Sequence, residues 1–127
     1  MRDPATTVDQ QAHLAGVAYQ IKHAGGSSLV VTTADAARRP VAIITDADIS
    51  QAVADGRSLE DTRVSQLKLP PPITMPRDGT VVDAVRVMLD HRIHHLPVVD
   101  GDRLVGLVEM ADLCRAMVDL PSVQFAG

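Results

Sequence analysis

Four groups of side chains have the types and spacing for chemistry. Thr45-Asp46-Ala47-Asp48 sets a hydroxyl and a carboxylate three residues apart where an apolar strand-like run gives way to helical spacing. A hydroxyl beside a helix N-terminus adds a donor for an anion, and an ionised carboxylate accepts hydrogen bonds from ligand hydroxyls. The same T-x-x-D spacing is also that of a capping box, in which Thr45 caps the amide of Asp48 and Asp48 favours the helix dipole. Both readings are open, and ligand and cap could alternate. The second group, Glu109 and Asp112, has the same spacing with a carboxylate in place of the hydroxyl. Two neighbouring anions repel by about 1 kcal/mol or more, so this position disfavours phosphate. A nucleoside, a cation-bearing ligand or nothing fits it better.

The third group is His91, His94 and His95. His91 and His95 stand at i, i+4, which on a continuous helix could hold a metal ion. A helix ending near Arg92 breaks that geometry, so no metal is expected. Two polar residues at a strand entrance are the plain alternative. The fourth is Cys114, with Arg115 as its basic neighbour and no evident base; a packed small side chain is the better reading. Nothing in the sequence resembles a nucleophile with base and oxyanion donors, or a G-x-x-x-x-G-K phosphate loop, so no catalytic residue is assigned and the chain is not expected to be an enzyme.

These groups need elements to position them. His94–Leu113 reads as strand, turn, strand, helix start: Leu96–Val99 is apolar, Asp100-Gly101-Asp102 is a turn, Leu104–Val108 is apolar again, and Met110 begins a helix reaching about Val118. Upstream, residues 1–9 are expected to be extended. A helix follows over Ala12–Ala24, stopped by Gly25-Gly26. Ser28–Thr33 and Val41–Thr45 are strands separated by a polar loop at Ala34–Arg39, and Asp46–Ala54 is a short helix. Arg57–Lys68 is polar with room for one helical turn, and Leu69-Pro70-Pro71-Pro72 cannot be helix interior. Thr80–His91 is a second long helix, with Val81, Val82, Val85, Met88 and Leu89 as its expected apolar face. The tail at 119–127 carries Val123 and Phe125, loose or docked.

Bulk properties bound the function. The 127 residues carry 46% hydrophobic side chains, enough for a core that buries roughly two-thirds of the unfolded surface. Tyr19 and Phe125 are the only aromatic side chains of the Phe, Tyr and Trp class, and the net charge is −4. Both facts argue against nucleic acid, which is gripped by aromatic platforms in basic grooves. No run of 18 apolar residues exists, and residues 1–10 lack a signal-peptide core. One cysteine forms no disulfide framework. The expectation is a soluble cytoplasmic domain with no membrane partner.

The first half echoes the second. An offset of 68 lays Pro4 on Pro72, Thr6 on Thr74, Leu14 on Val82, Val17 on Val85, Ile21 on Leu89, and Val30-Val31 on Val98-Val99. After the loop the offset is 64, laying Val41 on Val105, Ala47 on Ala111 and Asp48 on Asp112; the difference is a four-residue insertion at Ala34–Arg39. Two such halves, each too small to bury its sheet alone, should pack about a pseudo-twofold axis.

Three stretches carry a resemblance to a known family: Ile43-Ile44-Thr45-Asp46-Ala47-Asp48-Ile49, Ile93-His94-His95-Leu96-Pro97-Val98-Val99-Asp100, and Gly106-Leu107-Val108-Glu109-Met110-Ala111-Asp112-Leu113. Together and duplicated, they resemble the CBS domain, which occurs in tandem pairs called Bateman modules. The resemblance implies an α/β (α+β) fold of two β-α-β-β-α units packed sheet to sheet. The expected division is 1–56 for repeat 1, 57–71 for a linker, 72–119 for repeat 2 and 120–127 for a tail. It also implies clefts for adenosine-bearing effectors such as AMP, ATP or S-adenosylmethionine, with no resident cofactor. In such relatives the Thr/Ser of the motif contacts phosphate and the Asp holds the ribose hydroxyls, which here are Thr45 and Asp48. The ligand set expected on this basis is Thr45, Asp48, His94, His95, Asp112, Thr6 and Thr74. His94 matches the His of an Ile/Val-His-Arg-Leu run that meets phosphates, and His95 replaces its Arg. Imidazole lacks the fixed charge and fork of guanidinium, so phosphate affinity there should be weaker and pH-dependent. The expected partners are an adenosine-containing small molecule, a second copy in a homodimer, and an unidentified protein.

Overall fold

Each half of the chain folds into a three-stranded sheet with two helices. A computed structural model describes residues 7–24 and 28–118. Thr6, the Gly25-Gly26 stop and the tail with Val123 and Phe125 lie outside that range. In the first half, β1 (Thr7–Asp9), α1 (Leu14–Ala24), β2 (Ser28–Thr32), β3 (Pro40–Thr45) and α2 (Asp46–Ala54) follow in order. In the second, β4 (Met75–Pro76), α3 (Val81–His91), β5 (His95–Asp100), β6 (Arg103–Glu109) and α4 (Met110–Val118) repeat it. Both sheets place the middle strand in sequence at the centre, with the first strand parallel to it and the third antiparallel. This is the expected β-α-β-β-α order, twice.

The sheets are buried between helices and each other. Every residue of β2 is buried, as an apolar β-branched run flanked by strands on both sides requires. Leu14, Val17 and Ile21 of α1 pack with Leu29, Val31, Ile44 and Ala52 into one core. Ala84 and Met88 of α3 pack with Leu96, Val98 and Leu113 into a second. Val30 of the first sheet meets Leu104 and Leu107 of the second in a third cluster, which joins the halves through their sheets.

The register corrects the alignment of the two halves. Leu29, Val30 and Val31 face Ile44, Ile43 and Ala42, and a bulge follows Val31. Leu96, Pro97 and Val98 face Val108, Leu107 and Gly106, and the bulge follows Val98. Val31 therefore answers Val98, an offset of 67 rather than 68. The first strands agree, since Val8 pairs with Val31 and Met75 with Val98. With the offset of 64 kept for β3 and β6, the insertion is three residues and not four. The helical face moves with the offset: Val17 answers Ala84 and Ile21 answers Met88, all four buried. Of the expected α3 face, Val81, Val82 and Leu89 are 60%, 62% and 65% exposed, while Val85 is partly buried.

Local signals set the ends. Thr80 caps α3 in a full capping box with Asp83, whose carboxyl is held below its usual range by hydrogen bonds from the Thr80 backbone and side chain. Arg92 closes α3 in the left-handed region at φ 54°, which costs a non-glycine residue about 1–2 kcal/mol. The polar stretch after α2 is strapped to the first half. Leu14 N donates to Thr62 O and Ala15 N to Leu59 O, both at 2.9 Å, while Val64 N reaches Ala12 O and Ser65 N reaches Gln10 O at the same distance. Its one helical turn is a 3-10 turn at Val64–Gln66, and Val64 enters the first core. The longer first-half hairpin reaches across the molecule: Leu104 N donates to Arg38 O at 3.2 Å, with Arg38 at φ 46°.

Candidate functional site

β3 delivers Thr45 to the N-terminus of α2, and the first turn of α2 brings Asp48 back over it. Thr45 is extended (φ −122°, ψ 169°), as an N-cap must be. Its N–H donates to Asp48 Oδ2 at 2.8 Å, its Oγ1 donates to the same oxygen at 3.0 Å, and Asp48 N approaches Thr45 Oγ1 at 3.3 Å. The cap reading of T-x-x-D is therefore realised in full. It also fixes the carboxylate, because both recorded bonds fall on Oδ2. Among the described residues Oδ1 accepts no hydrogen bond.

Asp48 lines a cleft of about 300 Å³ together with Gln51, Ala52, Asp55, Arg57, Leu67, Lys68 and Leu69. The apolar members come from α2 and from the strapped segment, and Arg57 and Lys68 add fixed positive charge. Gln51 Nε2 is tied to Asp55 Oδ1 at 2.9 Å, so that end of the cleft is held in place. Sequence reading passed over Arg57 and Lys68 as part of a polar connection. Only the docking of residues 57–69 onto the first half brings them beside Asp48, and no local spacing announces that.

The other expected residues lie elsewhere. His94, His95 and Asp112 gather at the corresponding corner of the second half. His95 faces Glu109 across the β5–β6 ladder, and the His94 carbonyl accepts from Met110 N at 2.8 Å. Glu109 is 7% exposed. Arg115 Nη1 lies 3.7 Å from Asp112 Oδ1. Burial pushes the half-buried His95 imidazole below its ordinary value; the Glu109 charge opposes this and His94 adds to it. The folded chain therefore protonates His95 only at lower pH than a free imidazole would. Thr74 is exposed and lines a third place, a cleft of about 250 Å³ between the halves with Arg39, Pro40, Pro72, Val99, Gly101 and Asp102.

α3 ends at His91, so His95 belongs to a strand and the i, i+4 spacing does not set the two rings on one helix face. Among the described residues no group of three or more His, Cys, Asp or Glu side chains is placed to hold a metal ion, and no helix is long and apolar enough to cross a membrane. Cys114 is exposed rather than packed.

Comparison with known proteins agrees with the fold. The family model of the CBS domain matches residues 64–119. A 17.7 kDa protein of Acidianus ambivalens is 34% identical over 113 residues, covering 88% of this chain and 66% of the relative. The mitochondrial CBS domain-containing protein CBSX3 of Arabidopsis thaliana is 32% identical over 97 residues, covering 72% and 46%. Among solved structures, the CBS domain protein PAE2072 from Pyrobaculum aerophilum, complexed with AMP, is 28% identical with a TM-score of 0.79, covering 93% of this chain and 95% of that one. The chain belongs to the CBS-domain family, and its two halves form the tandem CBS pair. It spans between about one-tenth and two-thirds of the length of the curated relatives it matches.

Proposed function

We propose that this CBS pair is a non-catalytic regulatory module that binds an adenosine-containing ligand of the AMP, ATP or S-adenosylmethionine class and transmits the binding to a protein partner. One observation carries the reading: the Asp48 cleft combines a pre-oriented carboxylate, two cationic side chains and an apolar lining, with the second carboxylate, Asp55, bonded to Gln51. Asp48 Oδ1 suits the vicinal hydroxyls of a ribose, Arg57 and Lys68 suit a phosphate, and Ala52, Leu67 and Leu69 suit a base gripped without aromatic stacking. The AMP complex of PAE2072 supports the ligand class. Asp48 need not give up its cap to bind, since the cap uses Oδ2.

The test is thermal denaturation with AMP, ATP, adenosine and S-adenosylmethionine. A ligand at 100 times its dissociation constant adds about 2.7 kcal/mol of stability. A rise in Tm with at least one of them, lost in Asp48→Ala, is the expected result; no rise with any of the four overturns the reading. A second reading, a ligand-free scaffold for assembly, draws on the exposed apolar side chains of the helices: Val53, Met117 and Val118 are 55%, 60% and 81% exposed. That reading predicts no shift with any nucleotide. A twofold homodimer through these helices is compatible with both.

A further inference from the structure

We infer that residues 119–127, which follow α4, fold back as a second strap and seat Val123 in an apolar hollow at the start of α3. This holds whether or not the Asp48 cleft takes a nucleotide.

The first half shows what such a segment does. After α2 the chain turns back over the start of α1, where Leu14 N donates to Thr62 O and Ala15 N to Leu59 O, both at 2.9 Å. Leu59 packs against the first core, and Val64 lies inside it with Val8, Leu14, Val17 and Ile44. Leu14 is 0% exposed as a result.

The second half has the same frame without that cover. The offset of 67 lays Leu14 on Val81, Ala15 on Val82 and Val17 on Ala84. Val81 is 60% exposed, in the place where Leu14 is buried. Among the described residues neither Val81 N nor Val82 N finds an acceptor, while Thr80 Oγ1 takes the next amide, Asp83 N, at 3.1 Å. Beside this helix start lies a hollow of about 120 Å³, lined by Met75, Val81, Ala84, Val98, Val108 and Leu113, with Arg77 and Thr80 as its polar members. Ala84 helps to open it, since its counterpart Val17 is larger.

Size and lining select the occupant. Small-molecule sites begin at about 300 Å³, so this hollow suits one aliphatic side chain and not a nucleotide. The chain carries such a side chain at the matching place. The offset of 64 that relates α2 to α4 lays Leu59 on Val123 and Thr62 on Ala126. Both halves share one order and pairing of elements, so the reach from α4 to the start of α3 equals that from α2 to the start of α1. Val123 then enters the hollow, its carbonyl accepts from Val82 N, and the Ala126 carbonyl accepts from Val81 N. These are donors that a helix start leaves open.

Amide hydrogen exchange read by NMR on the full chain, without nucleotide, tests this. Wild type is compared with the Val123→Asp/Phe125→Asp double variant and with Ala84→Leu, which fills the hollow from within. Leu14 and Ala15, held by the first strap, serve as internal references. Val81 and Val82 should exchange about tenfold or more slowly in wild type than in either variant, while Leu14 and Ala15 keep their rates. Circular dichroism establishes that the variants are folded, and the tail variant carries the test if Ala84→Leu is not. Equal rates for Val81 and Val82 in wild type and the tail variant overturn the inference. Protection that falls on dilution also overturns it, because the hollow would then belong to the tail of a second copy.

Discussion

At the residue scale, the T-x-x-D motif shows how one pair of side chains serves structure and recognition together. Asp48 uses one carboxylate oxygen to close the N-terminus of α2, and the same residue lines a cleft. Replacing Thr45 by Ala removes the hydroxyl from both partnerships. The expected cost is about 1 kcal/mol of stability, the usual value for losing a threonine N-cap, while Thr45→Ser should lose little. Urea denaturation of the two variants against wild type measures it. His95 contributes a pH dependence whose sign follows from its burial. The unfolded chain takes up a proton near the ordinary value of 6.5, whereas the folded chain does so only at lower pH. Between those values the unfolded state holds more protons, so stability rises with pH. It is complete above about pH 6.5 and falls on acidification through that window. Thermal melts at pH 7.5 and pH 5.5 should show a larger loss of Tm for wild type than for His95→Gln; equal losses would show that His95 is not the group responsible. Of the expected ligand set within the described residues, Thr45 and Asp48 meet at one corner, His94, His95 and Asp112 at the other, and Thr74 lies apart. Spacing within a motif was visible in the sequence, but Arg57 and Lys68 join Asp48 through the docking of a segment with no periodicity of its own.

At the element scale, every strand and helix expected in the described residues is present within a few residues, yet the phase of one helix was misplaced. The cause lies in β2. Because all five of its residues are buried, the strand carries no alternation to mark one face from the other. Val30-Val31 then matches Val98-Val99 by identity as readily as by the true offset. The β-bulge after Val31 and after Val98 settles the offset at 67, and a bulge leaves no signature in residue type here. The one-residue slip rotates the inferred face of α3 by about 100°, taking Ala84 out of it and Leu89 into it. The structure therefore assigns opposite costs to adjacent residues. Met88→Ala, at 1% exposure, should lose about 2–5 kcal/mol. Leu89→Lys, at 65% exposure, should change monomer stability by no more than about 0.5 kcal/mol. Denaturant midpoints for the two variants check this, because the face expected from the sequence held both residues and would make both substitutions costly.

At the scale of the molecule, the joint between the halves is apolar and interior, while the outward helix faces are not fully polar. Tyr19, Val53, Val81, Val82, Leu89, Met117 and Val118 are all more than half exposed. Apolar side chains in that number are usually covered by a partner, and the commonest arrangement for identical chains is a twofold dimer. Light scattering coupled to size exclusion at micromolar concentration should give about 27 kDa, twice the 13.5 kDa of the chain. Val53→Asp or Met117→Asp should move the population toward the single chain. A wild type that stays at one chain's mass would show that these helices are covered in another way.

The three extra residues between β2 and β3 give the molecule a direction. Two units of equal outline, related by a half turn, would offer an approaching protein the same surface in either of two orientations, and contacts specific to one would be satisfied as well by its mirror placement along the chain. The longer hairpin ends that equivalence: Arg38 crosses to the backbone of Leu104, and no loop of equal length crosses back. A protein that docks over this end meets a ridge on one side and a tight turn on the other. Such a protein would have a fixed bearing on the pair.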